Sequence, residues 1–258
     1  PRLITDPPSP APWPGLSDAL RLEAVDFHYV EGAPVLRDLS LTIPAGANVG
    51  IVGSTGAGKS TVLNLLLRFR DPVSGRVTVD GVDLRSLALS DLRSRVGLVL
   101  QDVHLFPGTI LDNLGGSAEA AQAALDTLGI TLPLQRTVGD GTLSRGERQL
   151  LTFARALVTD PELLVLDEAT SAIDPATEAA VQRALARLQA GRTTVTVAHR
   201  LITVQGCDRI FVLHGGQLVE QGTHAELIAM SGVYAALAHL QAVSYTHPEP
   251  TRRYEISY

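Results

Sequence analysis

The chain has 258 residues, of which 45% are hydrophobic and 19% are charged, and its formal net charge is −6. This length and mixture are typical of a globular protein with a sizeable core, and the acidic balance argues against nonspecific nucleic-acid binding as the main role. The single cysteine, Cys207, has no disulfide partner and no cysteine neighbour at metal-binding spacing, so we expect an ordinary small buried residue.

The two ends of the chain differ in composition from the middle. Residues 1–15 are rich in proline, which is typical of a linker, and the chain begins with Pro1 rather than methionine, so we expect a piece of a longer chain. Residues 16–241 are predicted to form the folded domain. Residues 242–258 are polar and aperiodic, which indicates a disordered tail or an artificial extension. No run approaches the roughly 18 apolar residues of a membrane-spanning helix.

The first third of the folded domain is predicted to be rich in strands. Apolar residues alternate over Leu22–Tyr29 and Leu39–Ile43, and the segment RVTVDGVDL adds a strand with a turn at Asp80 and Gly81. These runs predict a small antiparallel layer.

Three other runs predict a buried parallel sheet. The segments NVGIVG, LLVLD and TTVTVAH are continuously rich in Val, Leu and Ile, as strands covered on both faces are, and a helical pattern follows each one. Between them, residues 87–158 show mostly helical periodicity and are predicted to form an inserted helical subdomain. The segment RIFVLHGGQLVEQGT is typical of a hairpin turning at Gly215 and Gly216, followed by closing helices. The predicted fold class is therefore α/β: a parallel-sheet core with an antiparallel β subdomain and an inserted α-helical subdomain.

A phosphate-binding loop is predicted at IVGSTGAGKST. Gly53, Gly58, Lys59 and Ser60 match the pattern G-x-x-x-x-G-K-[ST] between an apolar strand and a helix, the context that this motif requires. Glycines let backbone N–H groups surround a phosphate chain, and the helix N-terminus favours an anion. Lys59 is expected to reach the β- and γ-phosphates, and the Ser60 hydroxyl to bind Mg²⁺. This motif makes the predicted parallel sheet a P-loop NTPase core. The alternative is a glycine-rich turn that matches by chance.

Polar residues follow two of the predicted core strands. Asp167 and Glu168 end the segment LLVLDE, where ligand sites form in open α/β sheets. Asp167 suits the shell of a metal ion, and Glu168 is placed to act on water as a general base. His199 follows another core strand and is a candidate for orienting that water. The alternatives are a solvated pair of acids and a structural histidine.

These motifs, in this order, resemble the nucleotide-binding domain of ATP-binding cassette transporters of the exporter type, over about Leu22 to Leu240. GSTGAGKST looks like the family's Walker A, LLVLDE like its Walker B, SAID like its D-loop and His199 like its switch histidine. Gln101 matches the Q-loop, which implies a role in catalysis and at the metal. Tyr29 holds the position of the aromatic residue that stacks on adenine, whereas without the resemblance it would be an ordinary core aromatic.

The resemblance also gives LSRGERQ, at 143–149, the role of the family signature, which closes on the ATP held by a second, opposed domain. Ser144 offers a hydroxyl, Gly146 lets the backbone approach a phosphate, and the following helix directs its N-terminus at the anion. The spacing of Ser144 and Glu147 also satisfies a helix capping box, and both interpretations can hold together. Two residues depart from the usual LSGGQ: Arg145 adds a cation near the opposed phosphates and Glu147 adds an anion, with a net effect that the sequence leaves open. The preceding loop is also shorter than is usual in exporters.

The resemblance therefore implies ATP as ligand and Mg²⁺ as cofactor. The catalytic candidates are Glu168, His199 and Gln101, and the metal candidates are Ser60, Gln101 and Asp167. The predicted ATP contacts are Tyr29, Gly53, Ser54, Thr55, Gly56, Ala57, Gly58, Lys59, Ser60, Thr61, Ser144 and Gly146.

The expected function is ATP hydrolysis that powers a membrane transporter at the cytoplasmic face of the cell membrane. The expected partners are a second nucleotide-binding domain and the coupling helices of a transmembrane domain fused N-terminally, with no nucleic acid. One alternative is half of an asymmetric heterodimer, in which the altered signature serves a poorly hydrolysing, regulatory site. A soluble cassette ATPase of DNA repair or translation is disfavoured, because the chain has neither long coiled coils nor a second cassette. The transported substrate and its direction of movement do not follow from the sequence.

Overall fold

The computed structural model describes residues 4–100, 104–139, 142–167, 175–198 and 200–246. Its centre is a six-stranded sheet in the order β12-β11-β3-β10-β9-β6. Strands β3, β6, β9, β10 and β11 are parallel, and β12 pairs antiparallel with β11. The bounds are β3 Asn48–Gly53, β6 Val96–Val99, β9 Leu163–Asp167, β10 Thr193–Val197, β11 Arg209–His214 and β12 Gln217–Gly222.

An antiparallel sheet in the order β2-β1-β4-β5 forms a second layer. Its strands are β1 Ala19–Val30, β2 Ala33–Pro44, β4 Ser74–Val79 and β5 Val82–Asp83. Strands β1 and β2 are longer than the apolar alternation predicted, because they pair with each other from Ala19 and Pro44 to Val30 and Ala33. The predicted antiparallel layer is thus confirmed.

Eight α-helices occur in the described residues: α1 Lys59–Leu66, α2 Leu89–Ser94, α3 Ile110–Leu114, α4 Ala118–Leu128, α5 Arg145–Leu157, α6 Pro175–Gln189, α7 His224–Ala229 and α8 Val233–Thr246. Two short 3-10 turns lie at Leu84–Ser86 and Leu201–Thr203, and a two-residue ribbon pairs β7 Gly108–Thr109 with β8 Thr137–Val138. Within the part of the chain that the structure describes, no helix is long and apolar enough to cross a membrane.

The predicted helical insertion differs from the structure at its start. Residues 96–99 form β6, which pairs with β9 and therefore belongs to the parallel sheet. The helical subdomain thus begins after this strand rather than at residue 87. The sequence did not predict this strand, because four residues are too few to show an alternating pattern. Gly97 lets the strand pack closely against the helical subdomain, since a Cβ there would lie 2.6 Å from the carbonyl oxygen of Ala156.

The apolar interior consists of three clusters. One lies between the antiparallel sheet, α1 and one face of the parallel sheet, and includes Leu36, Ile51 and Leu66. The second joins α3 to α6 over the other face, and the third packs α7 and α8 near β11 and contains Cys207. The expectation for Cys207 is confirmed: burial is the main reason that its pKa is raised to about 12.

The proline-rich segment packs on the domain. The indole Nε1 of Trp13 donates to the carboxylate of Glu162 at 3.2 Å, and the backbone N–H of Leu16 donates to the same group at 2.9 Å. The carboxylate of Asp6 accepts from the backbone N–H of Leu89 at 2.7 Å. At the other end, α8 extends to Thr246, past the predicted boundary at 241.

Candidate nucleotide site

The phosphate loop runs from the end of β3 to the start of α1. Gly53 has φ 152° and Gly58 has φ 100°, conformations that L side chains rarely adopt. A Cβ at Gly53 would lie 2.2 Å from the carbonyl oxygen of Leu213, and one at Gly58 would lie 2.5 Å from the Leu36 Cδ2 atom. Glycine is thus needed at both positions for the loop to keep its shape.

Lys59 is the centre of this loop. Lys59 as a whole is 4% exposed. Its Nζ donates to the carbonyl oxygens of Gly53 at 2.8 Å and Ser54 at 3.0 Å. A buried ammonium group tied to the loop backbone is a strong attractor for an anion, because burial weakens solvent screening. The ammonium therefore marks where phosphate charge is best compensated.

The remaining loop residues divide by exposure. Ser54, Thr55 and Gly56 are exposed, whereas Ala57, Gly58 and Thr61 are buried. Gly58 caps α1 without a side-chain hydrogen bond, so the first N–H groups of this eight-residue helix are not satisfied by a capping side chain. Such a helix start binds anions.

Tyr29 lies beside the same helix rather than in the core. It is 51% exposed, its phenol oxygen lies 3.2 Å from the Thr61 Oγ1 atom, and it accepts a hydrogen bond from the Asn64 side chain at 3.0 Å. Its ring meets Phe27 edge to face at 4.9 Å. These contacts hold the exposed ring of Tyr29 next to the phosphate loop, although Tyr29 lies 30 positions before Lys59 in the sequence. Asn64 was not singled out from the sequence, because a polar residue on a helix gives no signal of this contact.

Asp167 lies at the same edge of the sheet as the loop. It ends β9, and Val197 of β10 is opposite both Asp167 and Ile51 of β3. One strand therefore separates the two motif-bearing strands, which places their backbones about 10 Å apart. The ends of both strands thus lie at one edge of the sheet.

The donor set fits a magnesium ion by its chemistry. Ser60 is exposed in the first turn of α1, and Asp167 is half-buried. The candidate metal ligands are therefore a hydroxyl oxygen and a carboxylate oxygen. Hard oxygen donors of this kind suit Mg²⁺. Within the described ranges, no group of three or more His, Cys, Asp or Glu residues forms a separate metal-binding cluster.

Three predicted residues lie outside the described residues: Gln101, Glu168 and His199. The residues directly before them lie at the ends of sheet strands. Leu100 follows β6, Asp167 ends β9, and the N–H of Ala198 donates to the carbonyl oxygen of Ile51 at 3.1 Å. The D-loop at 171–174 also lies outside the described residues.

The predicted signature forms the N-terminus of α5. The Ser144 Oγ accepts from the backbone N–H of Glu147 at 3.1 Å, and the backbone N–H of Ser144 donates to the Glu147 carboxylate at 2.8 Å. This is the capping box that the spacing predicted. Gly146 is buried, whereas Ser144 and Arg145 are exposed.

Glu147 has a second partner that the sequence did not indicate. Its other carboxylate oxygen lies 2.7 Å from a guanidinium nitrogen of Arg136, eleven residues earlier. The hydrogen bond from Ser144 N–H is the main reason that the pKa of Glu147 is lowered; burial opposes this, and Arg136 adds to it. The anion introduced into the signature is therefore ionised and paired within its own chain. No periodicity or spacing links Arg136 to this site, so sequence reasoning had no signal for it.

These features together define a P-loop nucleotide-binding domain: a parallel sheet with a glycine-lysine-serine loop after one strand and an acidic residue two strands away. A comparison with protein families gives the particular family. The family described as ABC transporter matches residues 36–171, more than half of the chain, so the chain belongs to the ABC transporter family. Its ATP-binding domains are ATPases.

Curated relatives are similar over most of this chain. A fatty acid ABC transporter ATP-binding/permease protein of Mycobacterium bovis is 48% identical over 242 residues, which cover 88% of this chain and 38% of the relative. A probable multidrug resistance ABC transporter ATP-binding/permease protein of Bacillus subtilis is 45% identical over 232 residues, which cover 84% of this chain and 34% of the relative. The chain thus spans little more than a third of the length of these relatives.

A solved structure confirms the fold. A bacterial Atm1-family ABC exporter with ATP bound is 37% identical to this chain, with a TM-score of 0.84 over 93% of this chain and 44% of that one. The parallel core, the antiparallel sheet and the helical insertion are thus an arrangement that this exporter shares.

Proposed function

We propose that this chain is the motor domain of an exporter-type ABC transporter, which binds and hydrolyses ATP with Mg²⁺ as a head-to-tail dimer. The observation that carries the proposal is the glycine loop closed around the buried ammonium of Lys59, with Asp167 at the same sheet edge. This arrangement supplies the positive charge and the oxygen donors that phosphoryl transfer needs.

The binding step follows from the loop. Lys59 exchanges its carbonyl partners for the β- and γ-phosphate oxygens, while N–H groups of the loop and of the first turn of α1 donate to the phosphates. The adenine stacks on the exposed ring of Tyr29, whose phenol is tied to α1. Ser60 and Asp167, with Gln101, would hold Mg²⁺, which neutralises charge on the phosphates when bound.

The hydrolytic step rests on residues at the strand ends. Glu168 accepts a proton from the attacking water as general base, and His199 orients that water and contacts the γ-phosphate. Ser144 and Gly146 complete the site of the opposed domain, because the start of α5 offers it a hydroxyl, backbone N–H groups and a favourable helix field. Each ATP then lies between the loop of one domain and the signature of the other.

The names of the relatives support the proposed partners and location. Both are ATP-binding/permease proteins, in which one chain joins this kind of domain to a permease. We infer that coupling helices of a transmembrane domain, fused N-terminally, meet this domain at the cytoplasmic face of a membrane. The transported substrate is not part of the proposal.

The structure gives less support to an asymmetric heterodimer than the sequence did. Its motivation was the altered signature, and the pairing of Glu147 with Arg136 and Ser144 accounts for the added anion inside one chain. Counting hydrolysed and occluded nucleotides per dimer separates the two arrangements. Full turnover at both sites of a homodimer excludes a heteromeric requirement.

The test of catalysis is Glu168→Gln, which keeps the shape of the side chain and removes its basicity. ATP binding is expected to persist, turnover to be abolished and a dimer to accumulate in size-exclusion chromatography with MgATP. Glu178→Gln, an exposed acid on α6, is the matched control and is expected to hydrolyse ATP normally. Near-normal hydrolysis by Glu168→Gln would overturn the assignment.

The head-to-tail arrangement has a separate test. Lys59→Ala disables the loop, and Ser144→Asp keeps a good helix cap but puts a carboxylate where the opposed phosphate is expected. Each variant alone is expected to be inactive, whereas a mixture regains about a quarter of wild-type activity if chains pair at random, because half the dimers carry one intact site. A mixture that stays inactive, although mixed dimers form, would contradict the arrangement.

A further inference from the structure

The side chain of Arg136 contacts two residues on either side of Ser144, at the start of α5. One guanidinium nitrogen donates to the Glu147 carboxylate at 2.7 Å, and the other donates to the carbonyl oxygen of Thr142 at 2.6 Å. Thr142 and Glu147 lie on either side of Ser144. A single side chain therefore holds both flanks of the signature serine.

The backbone of Arg136 is itself fixed. Its carbonyl oxygen accepts from the N–H of Ile110, at the start of α3, and its N–H donates to the carbonyl oxygen of Pro133, both at 2.9 Å. Ile110 is fully buried in the cluster of the helical subdomain. The guanidinium thus extends from a rigid anchor, which makes it suited to set the position of a neighbouring loop.

Both oxygens of the Glu147 carboxylate are occupied. One meets the guanidinium of Arg136, and the other accepts from the N–H of Ser144. If Arg136 were absent, the first oxygen would lose its cation and the carboxylate would keep a full negative charge within three residues of Ser144. The negative charge of a nucleotide phosphate facing Ser144 would then be opposed by a nearby anion.

We propose that Arg136 is a positioning residue for ATP hydrolysis. It fixes the signature loop and compensates Glu147, so that the hydroxyl of Ser144 and the backbone at Gly146 can approach the γ-phosphate of the ATP that the opposed domain holds. This inference rests on the proposed function, since the signature has no task without an opposed nucleotide. Arg136 acts through Glu147 and Thr142 and does not itself contact ATP.

The test compares Arg136→Gln, Glu147→Gln and the double variant in the full chain with MgATP. In Arg136→Gln, kcat is expected to fall about tenfold with a KM for ATP within about twofold of wild type, because the opposed loop still binds ATP and only the reacting arrangement is weakened. Glu147→Gln retains a hydrogen-bonding side chain without charge and is expected to lose less kcat than Arg136→Gln. The double variant is expected to recover the part of kcat that was lost to the uncompensated anion, since a neutral glutamine needs no cation. The part that depends on the contact of Arg136 with Thr142 stays lost.

Recovery by the second substitution is the readout that a purely structural role would not give. Arg183→Gln, an exposed arginine on α6, is the matched control for loss of one cation and is expected to leave kcat unchanged. An unchanged kcat in Arg136→Gln, or a double variant no better than Arg136→Gln, would overturn the proposal. Thermal melts ensure that the compared variants are folded.

A measurement without nucleotide separates this inference from the proposed function. Amide hydrogen exchange at Ser144 is expected to become faster in Arg136→Gln, because the carboxylate that accepts its N–H loses its anchor. Unchanged exchange would overturn the positioning role even if activity changed. An inactive wild-type chain would instead contradict the proposed function, while the exchange rate still decides whether Arg136 holds the loop.

Discussion

The phenol oxygen of Tyr29 lies 3.2 Å from the hydroxyl oxygen of Thr61, and this contact joins the first strand of the antiparallel sheet to the helix that follows the phosphate loop. The donor from Asn64 on the same oxygen fixes the ring further. Because the antiparallel sheet carries Tyr29 and the parallel sheet carries the loop, the packing of the two layers sets the distance between the proposed adenine and phosphate contacts.

Substitution at Tyr29 tests this arrangement. Tyr29→Ala is expected to weaken ATP binding about tenfold or more, because stacking of a base on an aromatic ring contributes roughly 1–3 kcal/mol. Tyr29→Phe keeps the ring but loses its contacts with Thr61 and Asn64, so a smaller loss is expected. Calorimetric titration with ATP measures both, and an unchanged Kd for Tyr29→Ala would exclude stacking on this ring.

Gly58→Ala is expected to abolish high-affinity ATP binding. Its φ of 100° is strained for alanine, and the added Cβ would lie 2.5 Å from Leu36 Cδ2, so the loop or the core must move. Gly206→Ala is the matched control, since a Cβ there meets nothing within 4 Å and its φ is not in the strained range. Equal nucleotide affinities for the two variants would show that the loop conformation is not limiting.

Glu162 is expected to hold the N-terminal segment against the domain. In Glu162→Gln one oxygen becomes an NH₂ group that faces the donors of Trp13, Leu16 and Arg95, which is expected to cost about 1 kcal/mol of unfolding free energy at this partly exposed site. Trp13 is the single tryptophan, so a red shift of its emission reports release of the segment.

The exposed Glu31→Gln serves as control for the loss of one carboxylate in the Glu162 experiment. Urea unfolding gives the stability, and emission spectra of the native protein give the docking. An unshifted emission spectrum for Glu162→Gln would show that other contacts hold the segment.

The lowered pKa of Asp80 predicts that the stability of the fold depends on pH. Burial raises its pKa, but hydrogen bonds from the Ser17 hydroxyl and from the N–H groups of Ser17, Asp18 and Ala19 outweigh burial and lower the pKa to about 2. A carboxyl whose folded pKa is depressed stabilises the fold above its unfolded pKa of 3.8 and loses that contribution as pH falls toward about 2.

Asp80→Asn is therefore expected to lower the unfolding free energy at pH 7 and to flatten its dependence between about pH 4 and 2. Because Asp80 is partly exposed, solvent screening limits the size of the effect. The exposed Asp91→Asn is the control. Urea unfolding across this pH range measures both, and parallel curves for wild type and Asp80→Asn would contradict the role of this carboxylate.

Several features followed from the sequence because they depend on residues close together in the chain. The phosphate loop needs a strand, a glycine pattern, a lysine and a helix within about twenty residues, all visible as adjacent letters. The capping box of Ser144 and Glu147 spans four positions, and the hairpin at Gly215 and Gly216 turns within two. Local geometry determines each of these, so the fold class and most proposed ATP contacts were accessible without coordinates.

Other features were decided only by the tertiary structure, because they join residues that are distant in sequence. Trp13 and Glu162 are 149 positions apart, and no pattern announces their hydrogen bond. Val96–Val99 became a sheet strand through pairing with β9, since four residues carry too little periodicity to predict it. The meaning of Glu147 was likewise open until Arg136 was found beside it. The sequence alone shows the negative charge of Glu147 in the signature. Its compensation depends on the fold, which brings the guanidinium of Arg136 to 2.7 Å from the carboxylate.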